Sequence, residues 1–459
     1  MGEKAKVIII GGGISGVSAA VRLVDNGFDV NIIESRGFLG GRAFSFKDKG
    51  TGIELDNGQH VITKACSMYL DLAERLGILN QWKQQNNFHL QVYDKFNKLA
   101  ILKSSILPSP FHLAPSFFNY SHLDISDKIS ICKALYQAKR TNRDNHGLDE
   151  LPFGEWLAQN KQSSRAIEFF WNLIIMPILN DRVQDVSTTM ALMVIQNGLL
   201  KYKHNADIGY PLKNLSHLMS TSAIEYLGSR SASFTLSTTV RSLKSGDGQI
   251  KSVELQNGVQ LDGQIVISAV PVYNLLKILP YESLSIPYFR RLEGLHNSPI
   301  VNIHLWYDQK VMERKFCAFG DSPLQWVFNE DDKDSDLSSI QPRVGIDSQN
   351  EIPQHICVSL SAAWEYIDQP KEDLIRQFTT EMSLSFPLAR QANIIRALVI
   401  KQRNATFRCS PGSGDLRPGS HTPYDNLFLA GDWTNTGWPS TMESAVRSGY
   451  NAAHAIIDK

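Results

Sequence analysis

Apolar and polar positions follow three regimes along the 459 residues. In the first, residues 7–10 form an unbroken run of apolar β-formers, a glycine turn follows, and small residues then run at helical spacing to Leu23. That order predicts strand, turn and helix. Residues 29–34 predict a second strand. Leu70, Leu72, Ala73, Leu76 and Leu79 predict a helix over 68–79, stopped near Gly77.

The second regime, about 85–210, loses this rhythm and is rich in long apolar and aromatic side chains on helix-like segments. Residues 169–179 read as ordinary core. Residues 107–120 hold too many prolines for a core helix. For them a membrane-dipping aromatic loop, a gate over an apolar tunnel and plain core all stay open. Strand signals then return over 233–243 and 264–271, with a hairpin at Asn257-Gly258 between 250–255 and 259–261. Further strands are predicted over 300–306, 325–328 and 356–360, with a helix over 371–384. Residues 330–336, with five acids and one lysine, read as a solvated loop. The chain closes on an apolar strand ending in Gly431-Asp432 and a helix over 444–457.

Composition narrows the class. At 42% hydrophobic and 20% charged the chain is globular, and its length makes two domains the default. Forty-six basic against 46 acidic residues give no reason to expect nucleic acid. No apolar run reaches the length of a membrane span, and the expectation is a chain without a signal peptide. The five cysteines form no C-x-x-C, which removes disulfide-type flavin chemistry and suits reduced thiols in the cytoplasm. No metal-ligand set is visible.

The chemistry begins in the first turn. Gly11, Gly13 and Gly16 make a G-x-G-x-x-G between a strand and a helix. The first glycine permits the turn, the second lets backbone approach a pyrophosphate, and the third lets the helix pack on the strand. The phosphates would sit on the open amides of the helix's first turn. Glu34, at the end of the second strand, suits the two hydroxyls of an unphosphorylated ribose, so FAD or NAD before NADP. Gly40-Gly41-Arg42 suggests a second backbone approach to the ligand, against a simple turn with a surface arginine. Residues 56–60 read as a turn ending in two hydrogen-bonding side chains. Asp432 suits a ribityl hydroxyl or a pyrophosphate-linked water, against a turn or cap aspartate. The glycines at 412–419 follow no clean strand and read as a loop, so the chain carries one dinucleotide site.

Taken in order, these pieces resemble the FAD-dependent amine oxidase and phytoene desaturase superfamily. Residues 55–61, 298–307, 405–412 and 426–449 further resemble the hydroxysqualene dehydroxylases, or squalene-associated FAD desaturases, of hopanoid synthesis. The resemblance implies an α/β fold: a Rossmann-like FAD-binding domain of the amine oxidase / glutathione reductase-like type with an inserted α+β substrate domain. The FAD domain would take 1–85, 211–290 and 396–459. The substrate domain would take 86–210 (helical, apolar) and 291–395 (sheet plus helix). It also implies roles. Gly11, Gly13, Ile14, Ser15 and Gly16 hold the pyrophosphate, and Glu34 the adenosine ribose. Gly41 and Arg42 flank phosphates and flavin, and Gly58, Gln59 and His60 approach the ring system. Val240 bonds the adenine through its backbone, Asp432 meets the ribityl chain, and the Met442 amide approaches the flavin.

The implied reaction is reductive removal of the hydroxyl from a C30 isoprenoid alcohol. His60 is the candidate acid, against a structural histidine bonding backbone or FAD. The implied partners are the apolar C30 substrate, a transient reductant (NAD(P)H or another donor) and a membrane surface. The location would be cytoplasmic, peripheral on the inner face of the cytoplasmic membrane. Two rivals stand beside it: an oxidative carotenoid-type desaturase or amine oxidase of the same fold, with Trp438 in an amine cage, and a flavin-free prenyl-binding protein of the Rab-escort kind.

Overall fold

A computed structural model describes residues 5–50, 52–145, 147–230, 232–331 and 353–459. The opening strand Lys6–Ile10 is the centre of a five-stranded parallel sheet. Asp29–Ile33 and Ser233–Thr235 lie on one side of it; Ile265–Ser268 and Leu427–Leu429 lie on the other. Side chains alternate between two covered faces. Val7, Ile9, Ile32, Ile267 and Phe428 pack on the helices Ile14–Asp25 and Met442–Ile457, while Ile8, Ile10, Ile33, Val266 and Leu427 join the core under the rest of the molecule. Burial of both faces is why these strands read as continuous apolar runs.

The expected hairpin forms between Gln249–Leu255 and Gln260–Asp262, with Gly258 at φ +87° in the turn. The predicted helices are present as Ser67–Arg75, Lys371–Ser385 and Met442–Ile457.

A seven-stranded sheet forms the second body. Its order is Ile394–Phe407, Asn297–Tyr307, Gln354–Leu360, Trp326–Asn329, Phe316–Phe319, His89–Tyr93 and Leu99–Lys103. One face (Val301, Ile303, Leu305, Val358) packs on Leu374, Phe378 and Met382 of the helix Lys371–Ser385. The other face carries Asn302, His304 and Trp306 along Asn297–Tyr307.

Three expected boundaries change. The cut at 395/396 falls inside Ile394–Phe407, which pairs antiparallel with Asn297–Tyr307 and so belongs to the seven-stranded sheet. The segment 86–210 is not wholly helical: His89–Tyr93 and Leu99–Lys103 form a hairpin at that sheet's edge. The cut at 210/211 divides Ile208–Pro211, which pairs with Ile62–Thr63 and Trp82–Gln84. Of the acidic run, Glu330 is buried rather than solvated because it continues the sheet, its amide bonding the His355 carbonyl. Residues 332–336 lie outside the described residues.

The helical layer contains two π-helical stretches, Ile167–Trp171 and Ile195–Leu200, each continuing an α-helix. Residues 169–179 are only partly ordinary core. Leu173, Ile175 and Leu179 are buried, whereas Ile174, Met176 and Ile178 are half-buried. Among the described residues no helix is long and apolar enough to cross a membrane.

Candidate functional site

The site begins where Lys6–Ile10 ends. The Gly11 amide donates to Ile33 O at 2.8 Å, turning the chain off the sheet edge. A Cβ on Gly16 would lie 2.0 Å from Gly11 O, so no side chain fits between turn and helix. Gly13 caps Ile14–Asp25 and has no side chain to cover the first-turn amides of Ile14 and Ser15. The second glycine pair crosses directly over this turn. Gly40 N donates to Gly12 O at 2.8 Å, and Gly41 (φ +61°) packs so closely that a Cβ there would sit 2.9 Å from Gly13 Cα. Two stretches of bare backbone therefore meet at the positive end of a helix, as an anionic diphosphate requires.

Glu34 follows Asp29–Ile33 directly and is 8% exposed. Its Oε2 accepts from Gly12 N at 2.7 Å, and its Oε1 from Arg36 N at 2.9 Å and Ser35 Oγ at 3.0 Å. The carboxylate is thus aimed largely by backbone, and Oε2, which accepts a single bond here, keeps a further lone pair for a ribose hydroxyl. Thr238 N donates to Glu34 O and Ser237 N to Arg36 O, so the chain entering Val240–Gly246 runs beside Glu34. This brings Val240 to the same side of the site.

The far end of the chain closes the cradle. Arg42 Nη2 meets Asp432 Oδ1 at 2.6 Å across 390 residues, and Arg42 Nη1 donates to Ala405 O at 2.8 Å. The Ser440 hydroxyl donates to the other Asp432 oxygen. Burial alone would raise the Asp432 carboxyl, but Arg42, Ser440 and Arg417 together hold it below the usual carboxylate range. The pair raises Arg42 in turn, against the opposing effect of burial. Asp432 is 8% exposed while Arg42 stays 42% exposed, so the guanidinium presents a face to the cleft. The Ser444 hydroxyl donates to Asp432 O at 3.1 Å. That bond and the Thr441 cap, which accepts from Ser444 N, set Met442 at the start of the closing helix beside Asp432.

The third wall is the turn at 57–60. Asn57 Nδ2 donates to Arg42 O at 3.2 Å, and Gln402 Nε2 donates to Asn57 Oδ1 at 2.6 Å. His60 Nδ1 lies 2.8 Å from Gly58 O, which can only accept, so Nδ1 carries the proton and Nε2 is the acceptor in the neutral ring. Gln59 Nε2 and Asn302 Nδ2 are buried donors with no acceptor among the described residues. Asn302 Nδ2 lies 3.3 Å from where a Gly58 Cβ would be. Buried donors of this kind call for a polar ligand atom. Bare backbone at a helix start, an aimed carboxylate and orphaned donors on the opposite wall fit a flavin dinucleotide.

Four participants escaped the sequence reading: Asn302, Gln402, Ser440 and Arg417. Arg417 is 5% exposed, and its guanidinium donates to the carbonyls of Trp433 (3.3 Å), Asp432 (3.2 Å), Thr434 (2.5 Å) and Trp438 (2.8 Å). It holds the whole 432–438 loop, and burial pulls its pKa down. The loop reading of 412–419 holds, but a loop assignment carries no signal for a side chain whose partners are backbone carbonyls. Trp438 is half-buried, and its ring lies under the chain's own Arg447 guanidinium, 5.0 Å away.

Comparison with known proteins agrees with this layout. The family described as flavin containing amine oxidoreductase matches residues 14–457. The 15-cis-phytoene desaturase of Glycine max is 26% identical over 98% of this chain and 79% of its own. That of Synechococcus elongatus is 25% identical over 98% and 96%. Among solved structures, an oxidoreductase from Methanosarcina mazei aligns with TM-score 0.72 at 16% identity, covering 99% of this chain and 100% of its own. A putrescine oxidase aligns at 0.71 and 14%, covering 100% of both. At such identities the solved structures speak for the fold alone.

Proposed function

The chain belongs to the flavin containing amine oxidoreductase family and is an FAD-dependent oxidoreductase; from that premise we propose that it removes the hydroxyl of hydroxysqualene reductively to give squalene. The observation that carries the substrate class is the apolar character of the helical layer. Ile174, Ile178, Leu199 and Leu200 of that layer, with Trp326 of the seven-stranded sheet and Trp438 of the 432–438 loop, are half-buried, pack on one apolar core and include no ionised group. A C30 hydrocarbon chain gains about 25 cal/mol per Å² of apolar surface buried against such residues, whereas a small ammonium gains little. The ring of Trp438 already faces Arg447, which argues against an amine cage there. Curated relatives named for phytoene and zeta-carotene favour the same long-chain isoprenoid class.

Bound and reduced, FAD would be the source of hydride for the carbon whose hydroxyl takes up one proton and leaves as water. The chain's task is to hold the cofactor, exclude water from an allylic cation and deliver that proton. Arg42, Asp432, Glu34 and the glycine turns do the first, and the apolar layer does the second. His60 is assigned the third. With Nδ1–H committed to Gly58 O, it delivers a proton from Nε2 only as the imidazolium. Among the described residues there is one dinucleotide cradle, which supports a reductant that visits transiently.

A second reading is desaturation of an isoprenoid by oxidised flavin, favoured by the desaturase relatives at 25–26% identity. Anaerobic incubation of the reduced holoenzyme with hydroxysqualene separates the two. Squalene formed in proportion to flavin oxidised supports dehydroxylation. Unchanged hydroxysqualene, with phytoene dehydrogenated by the oxidised enzyme, moves the assignment to desaturation.

A further inference from the structure

We propose that the outer surface of the helical layer is a docking face for an anionic lipid bilayer. Three segments build it. Residues 104–120 expose Ile106 (96%) and Phe111 (63%), with Phe118 at their end. The helix Ile125–Arg140 exposes Ile125 (65%) and Ile129 on successive turns of one face. The end of the π-helical stretch Ile195–Leu200 leads into the exposed Tyr202. The segments form one continuous surface. Ser109 Oγ donates to Leu200 O at 2.9 Å, Lys128 Nζ to Phe118 O at 2.8 Å, and Gln196 Nε2 to Ala138 O at 2.7 Å. Isolated exposed apolar residues are ordinary; a connected set of this size on a monomer marks a contact surface.

Charge identifies the occupant. Within 104–120, 125–140 and 195–204 the outward bases are Lys133, Lys139, Arg140, Lys201 and Lys203. The sole acid of those segments, Asp127, is buried and takes the Ser163 hydroxyl. Asp124, at the edge, lies against Arg165. A chain with no net charge overall thus gathers one sign around its exposed aromatic and aliphatic residues. Apolar side chains at acyl depth with Lys and Arg at headgroup level is the pattern of a protein lying on an anionic leaflet. The face also adjoins the proposed substrate wall: Leu200, whose carbonyl holds Ser109, packs on the same apolar core as Ile174 and Ile178. The purpose assigned to the face, taking an insoluble substrate from lipid, rests on the dehydroxylase reading; the binding does not.

The test uses full-length, FAD-loaded protein and flotation with vesicles of phosphatidylglycerol and phosphatidylcholine in equal parts, or of phosphatidylcholine alone. Expected are binding to the anionic vesicles, at least tenfold weaker binding to the neutral ones, and release as salt rises from about 0.1 to about 1 M, where the screening length shrinks from about 10 to about 3 Å. The pairs Ile106→Ser with Phe111→Ser, and Lys201→Glu with Lys203→Glu, each weaken binding about tenfold or more. Both keep the wild-type flavin spectrum, which shows that the fold survives. Wild type that stays unbound, equal binding to neutral vesicles, undiminished binding by both variants, or concentration-dependent self-association through this face without lipid would each overturn the proposal. Vesicle binding is read without turnover. A protein that floats but leaves hydroxysqualene untouched loses the dehydroxylase reading alone, and an active one that never floats loses the docking face alone.

Discussion

Gly449 lies where the first and last long helices cross, and an alanine there is expected to loosen both ends of the flavin cradle at once. An added Cβ would stand 2.1 Å from Ser18 Oγ and 2.3 Å from Ser15 O, against ordinary contacts of 3.4–4 Å. The Ser18 hydroxyl can rotate, but the Ser15 carbonyl is backbone in the first turn of Ile14–Asp25, the turn whose amides face the pyrophosphate. The helices must therefore separate by about 1 Å. Overpacking of this kind costs about 1–3 kcal/mol, and that cost falls on the spacing between Ile14–Ser15 and Met442, which the bound cofactor spans. Expressed wholly in binding, it weakens FAD affinity roughly 5- to 150-fold. The assay is fluorescence titration of the apoprotein with FAD, beside thermal melts with and without FAD. Gly198→Ala, where a Cβ meets nothing within 4 Å, is the control for the substitution itself. A Gly449→Ala protein that binds FAD with wild-type affinity and melts with wild type would refute the claim that this crossing sets the cradle.

Asp432→Ala is expected to lose FAD at least tenfold more severely than Arg42→Ala in the same titration, because Asp432 is 8% exposed and holds Arg42 and Ser440, whereas Arg42 is 42% exposed and screened by water. Asp432 is held below the usual carboxylate range, so its contribution is complete above that range and disappears only as pH falls through its lowered pKa; flavin retention followed by absorbance should survive the ordinary aspartate range, and the Asp432→Asn protein should show no such acid step. His60→Ala should keep its flavin and lose turnover by roughly 10²- to 10⁴-fold, and full turnover with hydroxysqualene would remove it as the acid. Arg417→Met leaves four loop carbonyls without their donor and should lower stability by roughly 2–3 kcal/mol in urea unfolding, with Arg417→Lys intermediate.

What the sequence determined by itself is the set of features fixed by local backbone constraint. The glycine turn, the acid closing the second strand, the hairpin at Asn257-Gly258 and the final strand and helix are each specified within a few residues by steric permission, periodicity or capping. Only the tertiary structure decided which distant groups meet. Nothing local tells Arg42 that its partner is Asp432, Asn57 that Gln402 will hold it, or Arg417 that its partners are four carbonyls of a later loop. The same holds for Ile394–Phe407, whose place in the seven-stranded sheet is set by pairing with Asn297–Tyr307. Backbone sterics act between neighbours and leave a signature in the sequence. Charge pairing and strand pairing act between surfaces brought together by folding, and either partner, taken alone, reads as an ordinary polar residue or an ordinary strand.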